Sequence, residues 1–342
     1  MKILAFHNRT GSKHWRLEQI AKYLNAQTEH EMFVADSAEW NDDTLEADIV
    51  IAQMWRNPKA VEVCHLQGAK VVYEADDAMI GVGTHRSELM KLTPEQEADT
   101  IKTIQACDLV TVTTQVLKDH YSQWNKNVVV LPNYLDLLWW GEPSSVKKYG
   151  DKIRLGWAGS LSHTADLEFI SPVIERVLKE FDHVKFVYCG HGGVSSSSML
   201  TQMMNGKDLF PNIPPHRREY IMGVESEYWP VKSKTLGFDI GIAPLVEDEF
   251  NACKSAIKWM EYSANGVPGV YSSGVVYDPV VKHGVTGLLA RTQDEWFEAI
   301  SRLILDEDLR RNLARESLKS VYEDYALDGH YMEWVDAYKK IL

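Results

Sequence analysis

The chain has 342 residues and a formal net charge of −13, with 45% hydrophobic and 25% charged residues. That length and balance fit a globular protein of two domains, each able to bury its own core. The acidic total argues against a broad nucleic-acid-binding face, no apolar run approaches a membrane span, and the short N-terminal run ILAF is too brief for a signal peptide.

In chain order, residues 2–6 read as a strand, Gly11 and Ser12 as a turn, and 15–25 as an amphipathic helix. The apolar runs EMFVAD, DIVIAQ, KVVYEADD, LVTVTT and VVVLPN follow, with helical segments that include 58–67 and 94–106. Several of these runs are continuously apolar, as expected of strands covered on both faces. After Asn133 the pattern breaks into a polar stretch containing Pro143, Gly141 and Gly150. It restarts with a strand at 153–159, a helix at 165–181 and a strand at 184–190. A strand at 238–245, a helix at 255–264, a strand at 267–272 and a helix at 294–305 complete it. This β-α alternation predicts an α/β protein of two Rossmann-like, doubly wound parallel sheets facing a central cleft. The boundaries expected are 1–140 for the first domain, 141–152 for a linker and 153–322 for the second, with 323–342 as an aromatic terminal helix. Cys64, Cys107, Cys189 and Cys253 lack paired spacing, which predicts reduced thiols in a cytoplasmic protein, with neither a disulfide framework nor a zinc site. Eleven Trp and fifteen Tyr suit large core side chains, and equally a cleft that stacks rings.

Ligands of open α/β sheets sit at the carboxyl ends of the strands, and four such ends carry reactive residues. In 156-GWAGSLSHTADLEF-169 a glycine turn, Gly159-Ser160, precedes a helix, so backbone N–H groups could approach an anion; the ordinary alternative is a βα turn that needs a glycine. In 254-KSAIKWMEY-262, Lys254 and Lys258 stand at a helix start expected near Ser255, where cations oppose the helix dipole. A bound diphosphate shared by Lys254, Lys258 and the helix amides would remove that conflict, with Glu261 accepting from sugar hydroxyls. The plainer reading is a solvated face with a Lys258–Glu261 ion pair and neighbours Glu247, Asp248 and Glu249 neutralising the lysines. Asp76 and Asp77 end a strand and read either as a general base and sugar-hydroxyl acceptor or as a helix cap beside a solvated acid. The loop after the first strand gathers His7, Asn8, Gly11, Ser12, His14, Trp15 and Arg16, a candidate acceptor or phosphate loop, and His85 is a further candidate.

In their order, 74-EADD-77, 157-WAGSLSHTADL-167 and 254-KSAIKWMEY-262 resemble GT-B glycosyltransferases of the family 4 type. The likeness extends through 128-VVVLPNYLD-136, 240-IGIAPL-245, 266-GVPGVY-271, 284-GVTGLL-289 and the terminal aromatic helix, which in that fold crosses back onto the first domain. The resemblance implies a nucleotide-diphosphate-sugar donor, acting as co-substrate without cofactor or metal, held by the second domain. Gly159, Ser160, His163, Lys254 and Ser255 would then lie along the diphosphate, with Lys258 beside it, Glu261 on the ribose, and Gly11-Ser12 near the phosphates. Asp77, His7 and His85 would be the catalytic candidates, and Asn8, Trp15, Arg16 and Asp76 would face the acceptor. Two departures stand out. Cys253 replaces the first of the family's two glutamates, and Ser160, Ala165 and Asp166 occupy the region of its usual Arg and Lys.

The expected activity is therefore a retaining, metal-independent hexosyl or pentosyl transfer to a glycan or lipid-linked hydroxyl, in the cytoplasm or peripherally at the inner membrane surface. Transfer to hydroxymethylated DNA is the alternative, and a basic cluster of Arg9, Lys13, Arg16 and Arg56 would favour it. A non-catalytic nucleotide-sugar-binding protein and a nucleotide-sugar epimerase are the other readings.

Overall fold

A computed structural model describes residues 1–7, 11–41, 46–82, 92–141, 150–160, 163–190 and 210–342. Asn8, Arg9 and His85, and most of the expected linker at 141–152, lie outside the described residues. The chain divides into two compact units: Met1–Asp136 with Ala252–Ser255 and Tyr325–Leu342, and Leu137–Asn251 with Ala256–Asp324.

The first unit holds β1 (Lys2–His7), β2 (Glu31–Asp36), β3 (Ile49–Gln53), β4 (Lys70–Ala75), β5 (Leu109–Val112) and β6 (Val128–Val130). Their order is β2-β1-β3-β4-β5-β6, with every pairing parallel. The second holds β7 (Ile153–Gly159), β8 (Val184–Gly190), β9 (Arg218–Met222), β10 (Ile240–Ala243), β11 (Gly269–Ser272) and β12 (Leu288–Ala290), in the order β12-β11-β10-β7-β8-β9, again all parallel. Two six-stranded parallel sheets with helices form the GT-B architecture.

The central strands are apolar because both faces are covered. Val50, Val71, Tyr73 and Val110 pack on one side of the first sheet, and Ile3, Ile49, Ile51 and Val72 on the other. The terminal segment belongs to the first unit's core: Leu327, Trp334, Val335 and Tyr338 bury themselves beside Ile3, Leu17 and Ile20. A parallel bridge from Leu135 to Ala326 joins it to the end of the first unit's main segment. Cys64, Cys107 and Cys253 lie in that unit's core and Cys189 in the other, all four as buried free thiols. Among the described residues no helix is long and apolar enough to cross a membrane.

Several boundaries differ from the sequence expectation. The helix expected at 15–25 is a π-helical turn, His14–Glu18, running into an α-helix, Gln19–Gln27. The helix expected from Ser255 begins at Ile257, with Ala256 as its N-cap and no capping side chain. β9 lacks an apolar run because it is a half-exposed edge strand, so alternation alone does not reveal it.

Arg16 and Glu74 form the polar centre of the first unit. Both are fully buried, with Arg16 Nε 2.7 Å from Glu74 Oε1 and Nη2 3.3 Å from Oε2. Thr111 donates to Glu74 Oε2, and Arg16 Nη1 donates to the Leu131 carbonyl at 2.7 Å and to Asn133 Oδ1 at 3.1 Å. The pair is tolerable at zero exposure because each partner's polar atoms are so occupied. Removing one partner alone strands a buried charge, so Arg16→Met should destabilise the first unit by about 3–5 kcal/mol in urea unfolding, and Arg16→Met with Glu74→Leu should recover part of that loss.

Candidate functional site

In each sheet the strand order reverses around the unit's first strand, and the loops on either side diverge there. In the second unit the reversal lies between β7 and β10, which pair only at Ile240–Leu155 and Gly241–Gly156. Beyond that pair the Tyr262 hydroxyl takes over the backbone bonding. It accepts from the Ala158 N–H at 3.3 Å and donates to the Ile242 carbonyl at 3.1 Å. A Cβ on Gly241 would lie 2.6 Å from the Tyr262 ring, so glycine is what lets the tyrosine in. Burial raises the phenol well above its ordinary range, which keeps it a donor as well as an acceptor.

The crevice opened in this way collects the residues singled out after β7. Lys258, on the helix Ile257–Ala264, donates to the Ala158 carbonyl, and its ammonium lies 5.6 Å from the centre of the Trp157 ring. Gly159 sits tightly against both, since a Cβ there would lie 2.6 Å from Trp157 and 2.9 Å from Lys258 Nζ. The helix Thr164–Glu180 begins just beyond, with His163 as its N-cap. His163 Nδ1 is 2.7 Å from Asp166 Oδ2, while Asp166 Oδ1 accepts from the Val246 N–H at 2.7 Å and from Asn251 Nδ2 at 2.9 Å. Asp166 therefore ties the loop after β7 to the loop after β10. Glu261 is buried on the same helix as Lys258, and its Oε1 accepts from Trp229 Nε1 at 2.8 Å. Burial raises Glu261 to about 7, with the Lys258 charge and the Trp229 hydrogen bond pulling the other way.

Gly159, Ser160, His163, Lys258 and Glu261 thus belong to one unit. Lys254 and Ser255 fall in the first unit, where Ser255 Oγ accepts from Asn133 Nδ2 at 2.9 Å. Two of the neighbouring acids have other partners as well. Glu247 pairs with Arg291 at 2.8 Å, and Asp248 accepts from the Asn251 N–H at 2.7 Å. Cys253, at the place of the missing glutamate, is a core residue of the first unit, and its carbonyl accepts from Thr114 Oγ1 at 3.4 Å.

The first unit's reversal places His7 at the end of β1 and Asp76-Asp77 after β4, with Ser12 3.4 Å from Gln53 Nε2 at the end of β3. Burial, then the neighbouring Asp77 charge, raises Asp76 to about 7, with a hydrogen bond from Ser12 opposing. Burial, followed by the Lys13 charge, lowers His7 from its ordinary value. Both shifts are toward the neutral forms. Trp15 and Arg16 are corrected. They are 5% and 0% exposed, and Arg16 is committed to Glu74, so neither is presented to an acceptor. Asp77 caps no helix; its backbone carbonyl accepts from the Tyr121 hydroxyl at 2.8 Å. Trp229 belongs to no quoted motif, and the bonds of Tyr262 to Ala158 and of Asn251 to Asp166 span 104 and 85 residues, beyond the reach of local sequence patterns.

No protein-family model matches the chain, and no curated protein matches it by sequence. Solved structures do match along its whole length. Anabaena HepE, in complex with UDP and glucose, aligns with TM-score 0.71 at 15% identity, covering 99% of this chain and 100% of that one. Sucrose-phosphate synthase from Thermosynechococcus elongatus aligns with TM-score 0.68 at 13% identity, covering 100% and 99%. A glycosyltransferase from Rickettsia africae aligns with TM-score 0.68 at 12% identity, covering 99% and 98%. At these identities the likeness establishes the fold.

Tyr262→Phe leaves the Ala158 N–H and the Ile242 carbonyl without their partner. It should destabilise the second unit by about 1–3 kcal/mol in chemical denaturation, with hydrogen exchange at Ala158 rising more than exchange in the first unit.

Proposed function

We propose that the protein is a nucleotide-sugar-dependent glycosyltransferase. The observation that carries this reading is the crevice between β7 and β10, where the Gly159-Ser160 turn, the Lys258 ammonium and the Glu261 carboxylate are held together. A diphosphate fits the turn and the lysine, since a glycine exposes backbone amides to an anion and the ammonium lies beside it. A ribose diol fits Glu261, because a carboxylate accepts from hydroxyls and Trp229 orients one of its oxygens. That Anabaena HepE is similar in fold and is seen with UDP and glucose supports the same class of donor.

The reaction proposed is transfer of a hexose or pentose to a glycan or lipid-linked hydroxyl, with retention and without metal. Lys258 and the turn would stabilise charge developing on the departing diphosphate. His7 or Asp77 would orient or deprotonate the acceptor hydroxyl, and Asp76 would hold a proton nearby. DNA as acceptor loses support from this chain's own cations. Arg16 is buried against Glu74, and Lys13 pairs with Glu18 at 3.1 Å. Cys253 in place of a glutamate favours one competing reading, donor binding without transfer, and measurement of released nucleotide separates the two.

UDP-glucose, tested first in a nucleotide-sugar panel, should raise the melting temperature. Its affinity should tighten as pH rises from about 6 to about 8, since Glu261 ionises through about 7 and only the carboxylate accepts from both ribose hydroxyls. Glu261→Gln should bind about tenfold more weakly at pH 8 and show a flat pH profile. A flat wild-type profile would remove Glu261 from the donor site. In the folded state the Glu261 carboxyl also holds its proton to higher pH than in the unfolded chain, so its burial makes stability fall between about pH 4.5 and 7. The Gln variant should lose less melting temperature than the wild type over that interval. Release of nucleotide with an acceptor present should persist in excess EDTA; loss of turnover there, restored by a divalent ion, would contradict metal independence.

A further inference from the structure

At the carboxyl edge of the first unit, beside the end of β1, lies a cavity of about 230 Å³ lined by Ser37, Trp40, Trp55, Arg56 and Asn57. Ser37 and Trp40 follow β2, and the other three follow β3, so the cavity is formed by the loops flanking β1. Its aromatic wall is a cluster. The Trp40 and Trp55 rings are 5.2 Å apart, and Phe6, on β1, lies 5.4 Å and 5.5 Å from them.

The backbone leading into the cavity is distorted. Met54, immediately after β3, has φ 54°, the only non-glycine residue with positive φ among the described residues. Such a conformation is disfavoured for a residue with a side chain and persists where the surroundings demand it. Here it turns the chain out of the sheet while Met54 N–H still donates to the Glu74 carbonyl at 3.0 Å. Trp55 and Arg56 are the residues delivered by that turn, and Asn57 then caps the helix Pro58–Leu66 by accepting from the Ala60 N–H.

Arg56 is half-buried and makes no ion pair or side-chain hydrogen bond among the described residues. The described acids nearest in sequence on the facing segment bond to backbone amides. Asp36 accepts from the Ala38 N–H at 2.9 Å, and Glu39 accepts from the Asp36 N–H at 3.2 Å. In a chain of net charge −13, the Arg56 guanidinium thus has no carboxylate partner among the described residues at the mouth of a tryptophan-lined cavity. A partly desolvated guanidinium calls for a planar anion, and an indole face suits the apolar face of a sugar ring.

We propose that this cavity is the acceptor subsite, taking one sugar ring that carries a carboxylate or phosphate, with the ring against Trp40 and Trp55 and the anion on Arg56. The assignment rests on the glycosyltransferase reading above for the word acceptor, and it concerns residues of the first unit alone. A nucleobase acceptor is the weaker occupant, because a polynucleotide needs several cations along its backbone and Arg56 has no unpaired basic neighbour lining this cavity.

The test uses the full chain without donor. Binding of methyl glucoside, methyl glucuronide, glucose 6-phosphate and a hydroxymethylcytosine oligonucleotide is followed by tryptophan fluorescence. The anionic sugars should bind about tenfold more tightly than methyl glucoside, and whichever of the two is tighter identifies the anion. Arg56→Gln should abolish that preference while leaving the melting temperature and UDP-glucose affinity unchanged, and Arg56→Lys should retain part of it. Equal binding of neutral and anionic sugars, a preference that survives Arg56→Gln, or the oligonucleotide outcompeting every sugar would overturn the proposal. UDP-glucose binding is scored separately. If it is absent while the Arg56-dependent preference is present, the donor reading fails and the anionic-sugar site stands; the reverse result removes only the site.

Discussion

One phenol bridges the two strands that part at the centre of the second unit's sheet. β7 and β10 are parallel neighbours for two residue pairs only, and after them the Tyr262 hydroxyl supplies the bonds the strands no longer give each other. Parting two strands ordinarily leaves buried N–H and C=O groups unpaired, an expense that disfavours the gap. Satisfying both groups from a single side chain makes the separation tolerable. Gly241 admits the ring, and Gly159 lets Lys258 and Trp157 close on the turn beyond it. The same helix then carries Lys258 and Glu261, so one element sets the geometry of the gap and supplies its two charged groups.

The first unit handles its reversal differently. Its central polar element is the fully buried Arg16–Glu74 pair, with Thr111, the Leu131 carbonyl and Asn133 completing the bonding. Asn133 passes the network on to Ser255, so a segment remote in sequence is fastened to the end of β6. This is a structural use of charge, and it removes from ligand contact an arginine that lies in a loop rich in functional residue types. The titrating groups nearby, His7 and Asp76, are shifted mainly by burial toward neutral forms.

Much of the architecture was legible because it is periodic. Continuous apolar runs such as IVIAQ and KVVYEA can only be strands covered on both faces, and β7 and β8 fall on the residues expected of them. The turn after β7 at Gly159 and the helix position of Glu261 follow from local turn and helix patterns. What misled was proximity in sequence. Arg16 looks like a loop cation, yet the π-helical turn His14–Glu18 swings it inward to a carboxylate 58 residues away.

By itself, then, the amino-acid order determined the two βα series, the glycine at the β7 turn and the types of polar group placed beside it. Hydrophobic periodicity and local turn chemistry act over a few residues, and both can be read without knowing the fold. The tertiary structure alone decided which of those groups share a site and in what state. Burial sets whether Glu261 and Asp76 are charged, Trp229 and Tyr262 reach them or their neighbours from remote positions, and strand order determines where a gap opens. Desolvation and long-range hydrogen bonding are properties of the packed whole, and no stretch of sequence carries them alone.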